Sequence, residues 1–213
     1  MTLAAVPDPA APGALLPPTP GFSAARRRVF EAAIELFAER GYHAVSMRDI
    51  AGHVGLQAMS LYTHAKSKQD LLFEIAKIGF ETHRGMLGEA LLEAGTDPVA
   101  QIRALCGAHV RSHLTYAHLA RVTNRESRQL EERYDEQLGL LRAESVRSFQ
   151  EVVARGQRLG VFVDEDPVLL VQAIGGMGIR APEWWTPGSG IESEEVVQAF
   201  TRFAVRILTA PTS

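Results

Sequence analysis

A single cysteine, Cys106, stands in 213 residues. One thiol excludes an internal disulfide framework and fits a reducing, cytoplasmic setting. No apolar run approaches the roughly 20 residues that a membrane helix needs, so no spanning segment is expected. Positive charge is not in excess either. The net charge of −3 argues against an architectural protein that coats nucleic acid and leaves room only for a local basic patch. Catalytic signatures are also missing: there is no nucleophile elbow, phosphate-cradling glycine loop or paired-carboxylate motif. An enzyme acting on a thioester through Cys106 and His109 therefore finds no second feature to support it, and binding without turnover is expected. No cofactor is implied. Alternating strand patterns do not extend beyond the "VFV" at 161–163, which makes the fold class all-α.

Proline is unevenly placed, with six of the eleven in the first 20 residues. "MTLAAVPDPAAPGALLPPTPG" lacks the basic start of a signal peptide, and its prolines interrupt any apolar core. Residues 1–21 are accordingly expected to be a disordered, polyproline-leaning tail outside the fold. From there on helical periodicity dominates. "RRRVFEAAIELFAERG" sets Val29, Phe30, Ala33, Ile34 and Phe37 on one face, and Gly41 ends the helix. Ser46 with Asp49, and Ser67 with Asp70, have capping-box spacing and start a second and a fourth helix. "LQAMSLYTH" lies between them as a short third helix. Further helices are expected over about 97–119, 127–159, 167–181 and 192–209, with "LARVTNRE" as a short extra one. About nine helices result.

Residues 47–66 form the unit that carries function. Two short helices meet at Gly55, where a tight turn needs positive φ, and Ala51 is small enough for a steep helix crossing. Ile50, Val54, Leu56 and Leu61 close a small core. This is the helix-turn-helix arrangement, whose second helix enters the major groove of duplex DNA. Its outer side carries Gln57, Ala58, Met59, Ser60, Thr63 and His64, which are short or neutral side chains suited to base edges. Arg26, Arg27, Arg28, Arg48, Tyr62, Lys66 and Lys68 surround it as phosphate contacts. Residues 21–73 hold seven Lys/Arg against five Asp/Glu, a modest local excess of the right sign. A helical-bundle element with incidental lysines would show the same 20-residue pattern.

Residues 26–73 also resemble the N-terminal domain of TetR-type transcriptional repressors. The match lies in "AAIELFAERGYHAVSMRDIAGHVGLQAMSLYTHAKSKQDLL", notably Phe37, Gly41, Ser46, Ile50, Ala51, Gly55, Leu61, Tyr62, His64, Ser67, Lys68 and Leu71. The resemblance implies DNA contacts by Ser46, Arg48, Ala58, Met59, Ser60, Tyr62, His64 and Lys68. It also divides the chain into a DNA-binding domain at 22–73 and an effector-binding, dimerising domain at 74–213. Two residues depart from the pattern. Gln57 stands where Ser or Thr often caps the third helix, and Ala65 where an aromatic is common.

One recognition helix covers only a few base pairs, so a homodimer on palindromic operator DNA is expected. The helices "DPVLLVQAIGGMGIRA" and "SEEVVQAFTRFAVRILTA" carry apolar stripes with the small residues Ala173, Gly175, Gly176 and Gly178, which suit a four-helix dimer interface as well as packing within one chain. "ARVTNRESRQLEERY" and "GMGIRAPEWWTPGSG" resemble a subgroup of these repressors that regulates actinobacterial sterol and fatty-acyl catabolism, which implies a CoA thioester as effector. Candidate effector contacts are Arg180 with Trp184, Arg121, Arg125, His109, His113 and the apolar or aromatic Phe80, Met86, Tyr116, Phe149 and Met177. The arginines also read as surface ion pairs with nearby glutamates, and the default for each apolar or aromatic residue is core. Cys106, His109 and His113 share one helical face, so a metal-sensing regulator is the alternative, although no fourth ligand is in view.

Overall fold

The computed structural model describes residues 13–209. Among these, nine α-helices and one 3-10 turn follow one another without a strand: α1 Ala24–Arg40, α2 Met47–His53, α3 Ala58–Leu61, α4 Lys68–Glu93, α5 Pro98–Thr115, α6 Ala117–Arg125, the 3-10 turn Glu126–Gln129, α7 Glu132–Arg158, α8 Pro167–Trp184 and α9 Ser193–Thr209. Local chemistry explains most of the boundaries. The Ser46 hydroxyl accepts from the Asp49 N–H while the Asp49 carboxylate accepts from the Ser46 N–H, so both orphan donors at the start of α2 are satisfied. Ser67 caps α4 through the Asp70 N–H. Gly55 turns the chain between α2 and α3 with φ of 70°, a conformation other residues adopt only with strain.

Two apolar cores result. The first joins α1, α2, α3 and the start of α4 to Tyr116, Leu119 and Val122 around α6, and to Tyr134 and Leu138 of α7. The second is built on α5, with Leu87 of α4 and residues of α7, α8 and α9 around it. Both α4 and α7 contribute to the two cores; α4 gives several buried residues to the first and one, Leu87, to the second. The 26-residue α4 runs directly from the helix-turn-helix into the C-terminal bundle.

Three expectations need correction. The tail expected at 1–21 is not wholly outside the fold. Its first twelve residues lie outside the described ones, but residues 13–20 pack against the protein. Leu16 is 2% exposed within the first core, the Gly13 N–H donates to the Thr115 carbonyl, and the Arg27 guanidinium donates to the Leu16 and Pro17 carbonyls. Apolar burial of "LL" and an arginine that satisfies proline-flanked carbonyls outweigh the low helical propensity of the segment. Next, the helix expected at 97–119 breaks at Tyr116, whose φ of −114° and ψ of 53° redirect the chain into α6. Finally, α8 does not stop before Pro182 but continues to Trp184. Proline lacks an N–H, so only the Gly178 carbonyl loses an intrahelical partner, and the Arg121 Nε–H donates to the Pro182 carbonyl at 3.0 Å.

Candidate nucleic-acid interface and effector cavity

The third helix is four residues long and has one buried residue, Leu61. Leu61 is fully buried, whereas Met59 is 79% and Tyr62 49% exposed. Gln57, Ser60 and Thr63 are exposed too, and Ala58 and His64 half-buried. Leu61, with Ala58 packed at the edge of the first core, thus holds a helix whose Met59 and Ser60 side chains are exposed. Gln57 is the N-cap residue but makes no side-chain cap hydrogen bond, which leaves its amide unengaged at the edge of this face. Ala65 is buried at 6% exposure, so a small residue fills the place where an aromatic is common.

The cations around this face divide into two groups. Arg48 and Lys66 are exposed, with no ion pair among the described residues. The others are internally engaged. Arg26 pairs with Glu74 and lies over the Phe22 and Phe30 rings. Arg27 holds the N-terminal segment and pairs with Glu31 at 2.8 Å. Arg28 donates to the Val54 carbonyl at 2.9 Å. The Lys68 ammonium donates to the Tyr42 and Val45 carbonyls at 2.9 and 2.8 Å and sits 4.0 Å from the centroid of the Tyr42 ring. Burial shifts the Lys68 ammonium below its usual range. Arg26, Arg27 and Lys68 therefore order the scaffold behind the exposed face. Ser46 is exposed but its hydroxyl belongs to the α2 cap, donating to Asp49 at 2.5 Å.

Behind the helix-turn-helix, a cavity of about 280 Å³ lies among α4, α5, α6, α7 and α8. Phe80, His109, His113, Tyr116 and Phe149 line it, as expected from sequence. The rest of the wall includes His83, Thr123, Asn124, Arg142 and Ser145, which no sequence pattern had marked. Its polar groups cluster. His83 Nε2 lies 2.8 Å from His109 Nδ1, and His83 Nδ1 lies 3.3 Å from the Ser145 hydroxyl. His109 Nε2 contacts the Gly175 carbonyl at 3.0 Å, His113 Nδ1 the His109 carbonyl at 2.8 Å, and His113 Nε2 the Asn124 amide at 3.2 Å. Burial, with His109 alongside, pushes His113 down to about 3. Burial also lowers His109, opposed by the Gly175 contact, and lowers His83 well below the usual imidazole value, with its two neighbours adding. All three rings are neutral at ordinary pH. The Thr123 hydroxyl, in a residue 4% exposed, has no hydrogen-bond partner among the described residues.

Several expected effector contacts lie elsewhere. Arg180 and Trp184 do share a face of α8, but that face is exposed and neither lines the cavity. The tryptophan that packs inward is Trp185, whose indole N–H donates to the Ile191 carbonyl at 2.8 Å. Arg121 bonds Pro182, and Arg125 pairs with Glu183. Both arginines thus fasten α6 to the end of α8, because their carbonyl and carboxylate partners lie within reach there. Met86 and Met177 are half-buried and outside the cavity wall. The Cys106/His109/His113 ligand set is not assembled either. The Cys106 sulfur faces the Phe200 carbonyl at 3.6 Å, and burial raises its thiol to about 12, which suits an inert apolar residue. The third histidine beside His109 and His113 is His83.

The cavity and the helix-turn-helix are mechanically joined. Gly79, Phe80, Thr82 and His83 of α4 line the cavity, as do Leu119, Ala120, Thr123 and Asn124 of α6. Beyond α6, Glu126 accepts from the Tyr42 N–H at 3.1 Å, and Gln129 contacts His43 at 2.8 Å and Gln69 at 3.0 Å. Tyr134 donates to Asp70 at 2.5 Å.

Known proteins share this fold. Residues 29–75 match the family of bacterial regulatory proteins named tetR, and residues 95–208 match the tetracyclin repressor-like C-terminal domain. The HTH-type transcriptional repressor KstR2 of Rhodococcus jostii is 27% identical over 196 residues, covering 91% of this chain and 95% of its own. A tetR-family regulatory protein from Rhodococcus RHA1 superposes with a TM-score of 0.82 at 24% identity, over 90% of this chain and all of its own. AibR, crystallised with isovaleryl coenzyme A and operator DNA, gives a TM-score of 0.75 at 21% identity, over 88% of this chain and 99% of its own. The last two likenesses concern the fold.

Proposed function

The chain belongs to the TetR family of bacterial regulatory proteins, and from that premise we propose that it is a homodimeric transcriptional repressor that binds palindromic operator DNA and is released by a CoA thioester. The DNA-binding unit is residues 22–73, and residues 74–213 bind the effector and dimerise. The observation that carries the DNA reading is the lopsided third helix. Leu61 is the one fully buried residue of α3, with Ala58 beside it at the core, while Gln57, Met59, Ser60 and Tyr62 are exposed, free to approach base edges. Arg48 and Lys66 supply the flanking phosphate contacts.

Dimerisation through α8 and α9 is supported by side chains that one chain leaves uncovered. Leu169 is 67% exposed, and Trp184 and Phe203 about half exposed. Together with Ala173, Gly176 and Arg180 they form a face of mixed apolar and small residues suited to close helix packing. Arg180 and Trp184 would then serve the subunit interface and not the effector.

An effector of the thioester class is supported by the cavity's size and lining. About 280 Å³ is the scale of a small-molecule pocket and accommodates an acyl group but not a nucleotide as well. The unpartnered Thr123 hydroxyl offers a hydrogen bond to a carbonyl oxygen. AibR, of the same fold, was crystallised with isovaleryl coenzyme A. Because α4 and α6 line the cavity and also touch the helix-turn-helix, an acyl group that widens their separation moves Tyr42, His43 and Gln69, and with them the recognition helix. A coupling of about 1–3 kcal/mol is ordinary for such a switch. The test is a gel-shift titration on DNA upstream of the chain's own gene, repeated with a panel of acyl-CoA esters and their free acids. Release by an ester and not by its acid supports the proposal; indifference to every ester removes the thioester class.

A further inference from the structure

We propose that His83, His109 and His113 form a binding site for one divalent transition-metal ion of the zinc class, with a fourth coordination position open to the cavity. One nitrogen from each of the three rings lies within 4.8 Å of the other two. His109 and His113 stand one turn apart on α5, and His83 reaches them from α4. For zinc, nitrogen ligands sit about 2.0–2.1 Å from the metal, so tetrahedral partners are about 3.3 Å apart. His83 Nε2 and His109 Nδ1 are 2.8 Å apart, so the two rings need to separate by only about half an ångström to meet that spacing.

The surroundings fix two of the three rings in the tautomers that a metal requires. A carbonyl oxygen only accepts, so His109 Nε2, against the Gly175 carbonyl, carries its proton and leaves a lone pair on Nδ1. By the same argument His113 Nδ1 donates to the His109 carbonyl and leaves a lone pair on Nε2. The third ring is set by a rotor. Without metal, His83 Nε2 carries the proton and donates to His109 Nδ1 at 2.8 Å, while His83 Nδ1 accepts from the Ser145 hydroxyl. When that hydroxyl turns to donate to the Leu141 carbonyl, its oxygen accepts from His83 Nδ1, and the switched tautomer frees the Nε2 lone pair for a metal. All three inward nitrogens are then donors to a cation, and every outward nitrogen is held by an oxygen, the outer-shell arrangement that orients ligating histidines. Among the described residues no carboxylate belongs to the cluster, so the centre keeps its positive charge and favours an anionic or carbonyl oxygen in the fourth position. Without metal, the Asn124 amide donates to His113 Nε2 at 3.2 Å, so it turns aside when that nitrogen ligates.

The site stands independently of the effector reading and is tested with metal alone. The untagged full chain, stripped with a chelator, is titrated with Co²⁺ and followed by visible absorption. The proposal expects saturation at one Co²⁺ per chain, the intense d–d bands of four-coordinate cobalt, and displacement by Zn²⁺. His83→Gln, at the partly exposed rim, is expected to lose more than about 100-fold in affinity, beyond the loss typical for an outer-shell partner. Its circular dichroism stays that of the parent, so the test does not depend on the more buried His109 and His113. Cys106→Ser is expected to leave the bands unchanged. Absence of Co²⁺ binding, binding untouched by His83→Gln, or a thiolate-to-cobalt charge-transfer band that Cys106→Ser removes each overturns the three-imidazole site.

Discussion

Gly178→Ala tests the packing around the histidine cluster. Gly178 lies in the interior of α8 with ordinary helical backbone, so helix propensity alone makes alanine more stable by about 1 kcal/mol. The added methyl, however, falls well under 3.0 Å from His109 Cδ2 and Nε2. Normal carbon contacts need the ring to withdraw by roughly 1 Å. His109 can yield only toward the cavity it lines, and doing so breaks its contacts: it is buried, bonded to Gly175 at 3.0 Å and set against His83 at 2.8 Å. Overpacking costs about 1–3 kcal/mol, and a buried imidazole that loses its partner costs about 1–3 kcal/mol more. Part of the second cost disappears if the ring finds another acceptor, so a net loss of about 2 kcal/mol is expected. Gly88→Ala is the matched control, since a methyl there meets nothing within 4 Å; it is expected to gain about 0.5–1 kcal/mol. Urea denaturation of both variants beside the parent measures the difference. A Gly178→Ala chain as stable as Gly88→Ala would refute the placement of His109 against α8.

Other outcomes follow from the same structure. Leu61→Ala removes the only buried residue of α3 and is expected to cost about 3 kcal/mol, with faster amide exchange across 56–64 and loss of DNA binding. Tyr62→Ala, at a half-exposed site, is expected to leave the urea midpoint unchanged while weakening DNA binding. Lys68→Ala leaves two carbonyls without their ammonium partner; it is expected to lower stability measurably, and a pure change in the salt dependence of DNA binding would contradict that role. Leu16→Ala is expected to cost about 2 kcal/mol by the same denaturation assay, whereas a disordered tail predicts no change. His113 is held near 3 in the folded chain, below its unfolded value near 6.5, so protons favour the unfolded state. Its stabilising contribution is complete above pH 6.5 and is lost as pH falls toward 3. Between pH 6.5 and 5 the loss is about 2 kcal/mol from this residue alone, read from urea curves at the two values and reduced in His113→Gln.

Features encoded within a few residues were legible in the sequence. Ser46 with Asp49, Ser67 with Asp70, and Gly55 between two short apolar patterns each act locally, and the helix-turn-helix follows from them. Features that depend on how helices pack were not. His109 and His113 announce a face by their spacing, but their partner His83 lies on another helix, 26 residues away, and only the α4–α5 packing selects it over Cys106. Arg180 and Trp184 share a face as their spacing says, yet nothing local tells which way that face points. Leu16 was hidden by its neighbours, because proline-rich composition describes the average of the segment and not the two leucines that find a groove.

The account turns on the outward side of α3 reading duplex DNA from two chains at once. The most direct measurement is a fluorescence-anisotropy titration of DNA upstream of the chain's own gene against a random duplex of equal length, with the stoichiometry determined at saturation. The predicted result is an even number of chains per site, preference for the upstream sequence by at least about 1000-fold at physiological salt, and loss of that preference in Tyr62→Ala. Equal affinity for both duplexes, or one chain bound per site, would contradict it.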